Sequence, residues 1–284
     1  MHKLLDGKIV SSEMSEFLKN KTIEIKEKGV IPTLAIVRVG DRPDDISYEK
    51  GILRSAAKIG VAVESIALPM DVSLKTIKNN IEFLNTNDKI HGILIFRPLP
   101  KQLSESEIKG MLDPEKDLDC FTSANMAKIF ESDKSGFCPC TPSAVLEILD
   151  YYKIDVAGKH IGIIGRSLVV GKPLAMMLLD RNATITICHS KTPELPSITS
   201  KCDILIAAVG RGKMVKKNFV KEGAIVIDVG INIDENGKLC GDVDFEDVAD
   251  KADSITPVPG GVGAVTNNVL LKQLLAATLK TIKK

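Results

Sequence analysis

The sequence lacks tryptophan, is poor in other aromatic residues and has almost no net charge. Tryptophan is absent from the 284 residues, aromatic residues make up only 4%, and 38 basic side chains nearly balance 37 acidic ones. This balance gives no electrostatic reason to expect nucleic acid or an anionic membrane as a partner. No apolar run approaches the length of a membrane span, and the first residues, MHKLLDGKIV, lack the apolar core of a signal peptide. We therefore expect a cytoplasmic globular protein.

Cysteine and histidine are too scattered to predict a metal centre or a disulfide framework. Of the six cysteines, only Cys138 and Cys140 are close together. A metal site would need further ligands at suitable spacing, and the four histidines do not supply them. We interpret the cysteines as reduced, mostly buried thiols and predict no metal ion.

What the sequence does contain is a regular alternation of β-branched runs and amphipathic stretches. An amphipathic helix is predicted over residues 8–28; Asp44 or Asp45 is expected to cap the second helix, and Ser73 the third. The predicted strands cover residues 33–39, 61–68, 91–96, 160–164, 183–188, 202–207, 224–228 and 254–256. This alternation predicts an α/β fold with largely parallel sheets.

The length and a change of character near Cys140 indicate two domains. After Pro100 the pattern becomes irregular, and a new helix is predicted at Thr141-Pro142, because proline is favoured in a first helical turn. We place an N-terminal α/β domain at residues 1–140 plus 264–284 and a Rossmann-like dinucleotide-binding domain at residues 141–263. The apolar C-terminal helix is expected to pack back on the first domain.

The stretch KHIGIIGRSLVVGKP, residues 159–173, predicts a phosphate-binding turn. An apolar run ends in Gly165, and a helical pattern opens near Gly171 with Pro173 just inside it. A strand, a glycine turn and a helix start present backbone N–H groups to a phosphate. The spelling is not G-x-G-x-x-G, and glycine-rich turns also serve only to reverse the chain. The spacing alone leaves both interpretations open.

The residues after the next predicted strand favour NADP over NAD. An acidic residue there would bind the ribose 2′-hydroxyl of NAD, but HSKT at 189–192 follows the strand and no carboxylate occurs before Glu194. Together with Arg166 of the turn, Ser190 and Lys191 would offer a guanidinium, a hydroxyl and an ammonium, which suit a phosphate dianion. The alternative is that Arg166 and Lys191 are solvated surface charges.

These motifs occur in an order that resembles a known family. GRSLVVGKP, HSKT, EGAIVIDVGIN, GDVDF and TPVPGGVG follow one another in the second half, after LDGK, VGDRPDDISY, HGILIFRPLP and PEKDLDCF in the first. Over essentially its whole length the chain resembles the bifunctional methylenetetrahydrofolate dehydrogenase / methenyltetrahydrofolate cyclohydrolase family, called FolD in bacteria. The resemblance implies a two-domain homodimer that binds tetrahydrofolate derivatives in a cleft between its domains and NADP, less often NAD, on the second domain.

The resemblance also implies a reaction and the residues that perform it. The reaction is oxidation of 5,10-methylenetetrahydrofolate to 5,10-methenyltetrahydrofolate, followed by hydrolysis to 10-formyltetrahydrofolate. Matching positions assign a folate-lining role to Tyr48 and pterin anchoring to Asp119, which are the expected catalytic residues. Matching positions in the loop that closes over the substrate are Pro259, Gly260 and Gly261. Those of the cofactor site are Gly165, Arg166 and Ser167 in the phosphate turn, Ser190 near the 2′-phosphate and Ile231 against the nicotinamide.

Chemistry supports Asp119 in this role, because a carboxylate can accept hydrogen bonds from both N–H groups on the amide-amine edge of a pterin. The alternative is a loop carboxylate that caps the next helix, although Thr122 or Ser123 could do this instead.

The chain departs from the family pattern at the second activity. The family has a lysine four residues after the tyrosine and a glutamine in the strand-end sequence VQLPLP; this chain has Ile52 at the first position and Phe96-Arg97 where Gln-Leu is expected. Isoleucine cannot take a proton, so the usual hydrolytic mechanism cannot operate as written. Lys50 is a substitute base only if the helix register shifts, because it lies about 200° around the helix from Tyr48. Arg97 could instead bind the glutamate tail of the substrate or steer charge.

Three readings remain open from the sequence. The chain is a dehydrogenase with or without the cyclohydrolase, a two-domain Rossmann dehydrogenase for a non-folate substrate, or a folate- or nucleotide-binding protein without catalysis. Retention of Tyr48, Asp119 and PGGVG disfavours the second reading. The intact nucleotide turn disfavours the third.

Overall fold

A computed structural model describes residues 3–283. The described α-helices are α1 Gly7–Lys26, α2 Pro43–Ile59, α3 Leu74–Thr86, α4 Glu105–Met111, α5 Ser123–Phe130, α6 Cys140–Tyr151, α7 Gly171–Leu179, α8 Leu195–Thr199, α9 Phe245–Val248 and α10 Val262–Lys283, with a short 3-10 helix at Lys217–Phe219. The described strands are β1 Lys3–Leu4, β2 Thr33–Val39, β3 Ala62–Leu68, β4 Gly92–Ile95, β5 His160–Ile164, β6 Thr184–Cys188, β7 Ile204–Ala207, β8 Ile225–Asp228, β9 Asn232–Ile233, β10 Leu239–Cys240 and β11 Ser254–Ile255.

The chain divides into two compact units. The 13–138 unit comprises Glu13–Cys138 and the chain from Asn267 onward, and the 139–266 unit comprises Pro139–Thr266 and the residues up to Ser12. From the sequence, residues 1–12 were expected in the N-terminal domain of residues 1–140 plus 264–284. Residues 3–12 instead belong to the 139–266 unit, because β1 pairs in parallel with β11, with Lys3 opposite Ser254.

The 13–138 unit is built on a parallel sheet of three strands in the order β3-β2-β4. The central strand β2 has the sequence TLAIVRV and is buried along most of its length, as expected for a parallel strand covered on both faces. Its buried residues pack with those of α3, β4 and α4, including Val37, Ile81, Ile93 and Ile108. This part of the core lies on the side of the sheet that α3 and α4 cover, and Leu34 and Ile36 of β2 are buried on the opposite side.

Of the two helix caps predicted in this unit, one is wrong and one is confirmed. The predicted capping of α2 by Asp44 or Asp45 is wrong: the N-cap residue is Arg42 and Pro43 begins the helix. The fixed φ of proline is already helical, so the helix starts earlier and the two aspartates lie in its first turn, where they favour the helix dipole. The prediction for α3 is confirmed, since the Ser73 hydroxyl accepts from the Thr76 N–H at 3.1 Å.

The segment that the sequence marked as irregular after Pro100 contains two short helices. Ser104 caps α4 and Thr122 caps α5, each with its hydroxyl accepting from a backbone N–H three residues on. Between them, residues 113–121 form no helix. Seven- and eight-residue helices are too short to give a clear apolar period, so the pattern did not reveal them.

The 139–266 unit contains a parallel sheet of six strands in the order β1-β11-β8-β7-β5-β6. Strand β5 lies between β6 on one side and β7 on the other, so the chain changes direction across the sheet after β6. In open α/β sheets, ligands bind at the carboxyl ends of the strands beside such a switch point. The parallel sheets of the two units confirm the predicted α/β class with a Rossmann-like second domain.

The C-terminal helix α10 returns to the 13–138 unit, as predicted. From Asn267 onward it belongs to that unit, where the Asn268 Nδ2 group donates to the Ser15 hydroxyl at 3.0 Å. Gln273 Nε2 donates to the carbonyls of Leu118 and Cys138 at 2.8 and 2.9 Å. In the described part of the chain, no helix has both the length and the apolar character that crossing a bilayer requires.

Two positions on α3 provide a test of this core. Ile81 is fully buried, whereas Phe83 is 60% exposed on the same helix. Replacing Ile81 by alanine is expected to lower the free energy of unfolding by about 2–5 kcal/mol, because it leaves a cavity in the sheet core. The matched Phe83→Ala change should cost within about 0.5 kcal/mol. Chemical denaturation followed by circular dichroism measures both; equal losses would contradict the described burial.

Candidate functional site

The turn after β5 has no room for side chains at two of its glycines. Gly165 has a φ of 129°, and a Cβ there would lie 2.2 Å from the carbonyl oxygen of Ala208. A Cβ on Gly171 would lie 2.1 Å from the carbonyl oxygen of Gly165. The turn therefore packs directly on the backbone after β7, and α7 begins directly on the turn. Only glycine allows this approach at either position.

The same turn leads directly into the amino end of α7. The Ser167 hydroxyl accepts from the Val170 N–H at 3.1 Å, and the Ser167 carbonyl accepts from the Lys172 N–H at 3.0 Å. These bonds fix the chain between Arg166 and the helix start, while Arg166 and Ser167 themselves are exposed. Backbone N–H groups and a positive helix end at a shaped turn fit a pyrophosphate.

A second turn, residues 189–192, lies beside the first. In the parallel register Ile164 is opposite Cys188, and the Gly165 N–H donates to the Cys188 carbonyl at 2.9 Å. Arg166 and Ser190 each lie two residues beyond this paired position, so the two turns are neighbours, as the sequence predicted.

The second turn is held by its own polar groups. The His189 N–H donates to the Thr192 hydroxyl at 2.9 Å, and the Lys191 N–H donates to His189 Nδ1 at 3.1 Å. Ser190 and Lys191 are exposed. A guanidinium, a hydroxyl and an ammonium on adjacent turns, with no carboxylate before Glu194, fit a 2′-phosphate.

The loop after β8 carries an exposed apolar residue. Ile231 is 64% exposed, and a Cβ on Gly263 would lie 3.2 Å from its Cδ1 atom. The loop of Pro259, Gly260 and Gly261 joins β11 to α10, and the Val258–Pro259 peptide is cis. Ile231 and this loop therefore follow strands that end at the same edge of the sheet. An exposed isoleucine at this edge offers an apolar surface to a flat ring.

In the 13–138 unit, Tyr48 lies against Phe96. Tyr48 is in α2, which follows β2, and Phe96 directly follows β4, so parallel pairing places both at the carboxyl edge of the sheet. Their ring centroids are 5.3 Å apart with an interplanar angle of 31°. Phe96 is buried, whereas Tyr48 remains 37% exposed and can present its ring to a ligand.

Arg97 extends this aromatic pair to Asp119. Arg97 Nη2 lies 3.2 Å from Asp119 Oδ2, and the side chains are 17% and 23% exposed. The Arg97 guanidinium also lies 4.9 Å from the centroid of the Phe121 ring. Tyr48, Phe96, Arg97 and Asp119 thus form one cluster, which we call the Tyr48–Asp119 cluster. The sequence analysis named all four positions but did not predict the ion pair.

Two residues shortly before Asp119, Lys116 and Asp117, hold its segment in place. The Lys116 ammonium donates to three carbonyls at the carboxyl end of α3, at 2.7–2.9 Å, those of Leu84, Asn85 and Asn87. A cation at this end of a helix is favoured by the helix dipole. Burial lowers the pKa of the Lys116 ammonium, and nearby Asp113 opposes this.

Asp117 fixes the other side of the segment and is buried. Its carboxylate accepts from the N–H groups of Phe121 and Thr122, both at 2.8 Å, and from the Thr122 hydroxyl at 2.7 Å. Thr122 is the N-cap of α5, so the alternative of Asp119 as the cap is excluded. The role of Asp117 was not predicted, because no short sequence pattern marks a carboxylate that binds N–H groups four and five residues further on.

Position 52, where the family pattern has lysine, and Lys50, the candidate substitute base, differ in their exposure to solvent. Ile52 lies one helical turn after Tyr48 and is fully buried. Lys50 is exposed, and Glu49 before it is buried with its carboxylate 2.8 Å from Arg38 Nε. The structure brings Tyr48 and Asp119 into one cluster with Phe96 and Arg97, whereas Lys50 is exposed on α2.

Family models match both units of the chain. Residues 5–119 match the model described as tetrahydrofolate dehydrogenase/cyclohydrolase, catalytic domain. Residues 139–282 match the model described as tetrahydrofolate dehydrogenase/cyclohydrolase, NAD(P)-binding domain.

Individual proteins are similar over nearly the full length. A Clostridium botulinum protein named bifunctional protein FolD is 52% identical over 277 residues, which cover 98% of each chain. The crystal structure of the bifunctional FolD methylenetetrahydrofolate dehydrogenase/cyclohydrolase from Campylobacter jejuni has a TM-score of 0.97 at 40% identity, covering 99% of this chain and 100% of that one. FolD of Trypanosoma brucei, complexed with NADP cofactor and inhibitor, has a TM-score of 0.94 at 32% identity, covering 100% and 99%.

The contacts of Lys116 predict how firmly the Asp119 segment is held. Replacing Lys116 by methionine keeps the stem but leaves the carbonyls at the end of α3 without their donor, which is expected to cost about 1.5–3 kcal/mol. Amide hydrogen exchange at Phe121 should accelerate, while Lys101→Met, a change at an exposed position in the same unit, should alter neither quantity. Unchanged exchange and stability in Lys116→Met would contradict the assigned role.

Proposed function

Because the chain belongs to the tetrahydrofolate dehydrogenase/cyclohydrolase family, we propose that it oxidises 5,10-methylenetetrahydrofolate to 5,10-methenyltetrahydrofolate with NADP. The observation that carries this proposal is the pair of neighbouring turns after β5 and β6, with glycines that admit a pyrophosphate and exposed Arg166, Ser190 and Lys191. A relative that is 32% identical is titled as complexed with NADP cofactor. This evidence favours NADP over NAD.

The oxidation requires mainly that the folate methylene bridge and the nicotinamide be held in the correct relative position. A hydride leaves the methylene bridge of the folate, and the adjacent folate nitrogen stabilises the cation that forms, so no protein base is needed for this step. NADP, when bound, supplies the hydride acceptor. Arg166, Ser190 and Lys191 bind the 2′-phosphate, Gly165 and Ser167 shape the turn at the pyrophosphate, and Ile231 lies against the nicotinamide.

The substrate is oriented by the Tyr48–Asp119 cluster. The Asp119 carboxylate accepts hydrogen bonds from the N–H groups of the pterin edge, and Arg97 holds that carboxylate in place through its contact at 3.2 Å. Tyr48 lines the pterin with its exposed ring face. The loop of Pro259, Gly260 and Gly261 closes over the substrate. The homodimer implied by the family resemblance and the cytoplasmic location expected from the sequence remain predictions.

The second activity of the relatives requires a group that this cluster lacks. Hydration of the methenyl cation needs an acceptor for a water proton. The expected lysine position holds the fully buried Ile52, and the expected glutamine position holds Phe96, whose ring packs on Tyr48. We therefore infer that the lysine-dependent hydrolysis is lost and that the protein is a monofunctional dehydrogenase.

An assay of the purified protein with two readouts tests both parts. One readout follows reduction of NADP and NAD by 5,10-methylenetetrahydrofolate, and the other follows decay of supplied 5,10-methenyltetrahydrofolate above its spontaneous rate. Rapid reduction of NADP without accelerated decay is the expected result. Binding of both ligands without any turnover would overturn the enzyme proposal in favour of a binding protein.

Accelerated decay would instead show that another group replaces the lysine. The Lys50→Met variant then identifies that group, with Lys58→Met on the same helix as the exposed control. Loss of the acceleration in Lys50→Met alone would mean that Lys50 reaches the substrate after all.

The cofactor preference has its own test. Arg166→Ala removes a guanidinium expected to pair with the 2′-phosphate, so the KM for NADP should rise about tenfold or more while the KM for NAD changes little. Lys201→Ala removes an exposed cation at the other edge of the sheet, just before β7, and serves as the control. An unchanged ratio of NADP to NAD efficiency in Arg166→Ala would show that Arg166 does not set the preference.

A further inference from the structure

We propose that two buried carboxylates, those of Asp228 and Asp242, form a positioning element for the nicotinamide half of the cofactor site. This inference rests on the proposed function for its ligand and concerns the 139–266 unit alone. Neither residue was singled out by the sequence, because each lies within a motif, EGAIVIDVGIN or GDVDF, whose individual side chains carry no obvious chemistry.

Asp242 ties the loop after β7 to the loop after β8. Its Oδ2 atom accepts from the N–H groups of Val209 and Gly210 at 2.6 and 3.1 Å. Its Oδ1 atom accepts from the Arg211 N–H at 2.8 Å and from the Asn232 side-chain amide at 2.9 Å. One fully buried carboxylate thus holds three successive backbone donors of one loop and a side chain of the other.

Asp228 continues the connection to β11 and to Asp242 itself. Its carboxylate accepts from the N–H groups of Gly230, Asp242 and Val243 at 2.8–3.0 Å. Its own N–H donates to the Thr256 hydroxyl at 2.7 Å. Thr256 directly follows β11 and lies three residues before the Pro259 loop. The two carboxylates therefore connect the loops that follow β7, β8 and β11.

Neighbouring glycines show how closely the loops approach this pair. A Cβ on Gly230 would lie 2.3 Å from the Asp242 Cγ atom, and one on Gly241 would lie 1.8 Å from Asp228 Oδ2. Ile231 directly follows the first of these glycines. Both carboxylates therefore hold the loop that carries Ile231, through contacts with its neighbours Gly230 and Asn232, although Ile231 itself is exposed.

Burying two adjacent carboxylates carries a large desolvation cost. Burial raises the pKa of the Asp228 carboxyl to about 6, hydrogen bonds from backbone N–H groups oppose this shift, and the nearby charge of Asp242 adds to it. Within residues 3–283, neither carboxylate forms an ion pair with a basic side chain. Apolar residues would fill the same space without this desolvation cost but could not satisfy the backbone donors of the loops. Loop geometry is what the carboxylates provide.

The arrangement separates the two halves of the cofactor site. Arg166, Ser190 and Lys191 follow β5 and β6, and none of them contacts either carboxylate in the described chain. Ile231 and the Pro259 loop follow the strands that the carboxylates connect. Loosening the pair should disturb the nicotinamide half and leave recognition of the adenosine half intact.

The test compares two ligands in the Asp242→Asn variant. Both carboxylate oxygens of Asp242 accept, so either orientation of an asparagine amide points N–H groups at backbone donors. Affinity for NADP should fall tenfold or more and kcat should fall with it, whereas affinity for adenosine 2′,5′-bisphosphate, which lacks the nicotinamide half, should stay within twofold. Titration calorimetry with each ligand and steady-state kinetics measure these quantities.

Asp203→Asn is the matched control. Asp203 is also a carboxylate that accepts from a backbone N–H, that of His160 at 2.9 Å. It directly precedes β7, so it lies at the edge of the sheet opposite the cofactor loops. This variant should leave the ratio of the two affinities unchanged. Equal losses for both ligands in Asp242→Asn, or no loss for either, would overturn the positioning role.

A milder variant covers the case in which Asp242→Asn does not fold. Asn232→Ala removes only the side-chain donor to Asp242 and should lower NADP affinity severalfold with the bisphosphate affinity unchanged. An unaltered ratio in a folded Asn232→Ala protein would also contradict the proposal. Because both affinities are binding measurements, they test the carboxylate pair even if the wild-type protein shows no folate-dependent turnover, an outcome that would refute the proposed function separately.

Discussion

Parallel strand pairing is the constraint on which both candidate sites depend. Parallel strands end at one edge of a sheet, so loops that are far apart in sequence meet there. In the 139–266 unit, the pairing of Ile164 with Cys188 makes neighbours of the turns that carry Arg166 and Ser190. In the 13–138 unit, the pairing of β2 with β4 brings Phe96 to the ring of Tyr48.

Loops at such an edge carry backbone groups that no strand satisfies, and buried polar side chains satisfy them here. Asp117, Asp228 and Asp242 accept from backbone N–H groups. At the opposite edge of its sheet, where α3 leads into β4, Lys116 donates to the carbonyls that end α3. Such bonds order a loop without covering its outer surface. This explains how Asp119 and Ile231 remain partly or largely exposed although their neighbours are held on fixed segments.

Features set by short sequence patterns were predictable, and those set by distant partners were not. The strands and the glycine turn after β5 follow from local apolar runs and helix-start signals, as does the Ser73 cap. The contacts of Lys116 with Leu84 and of Asp242 with Val209 join residues 32 and 33 positions apart, so no local pattern reveals them. The sequence left open that Arg97 binds a glutamate tail or steers charge, and it gave no sign of the contact with Asp119, 22 residues further on.

One physical argument covers Ile52, Phe96 and Arg97, the three positions at which the sequence departs from the family pattern. Oxidation of the methylene bridge needs orientation, which aromatic contact and a fixed carboxylate supply, whereas hydration needs a group that accepts a proton. Phe96 packs on the Tyr48 ring, and neither Phe96 nor the buried Ile52 has a group that can accept a proton. Arg97 adds a charge that fixes Asp119. The Tyr48–Asp119 cluster therefore meets the demand of the first reaction for orientation, while neither Ile52 nor Phe96 meets the demand of the second for a proton acceptor.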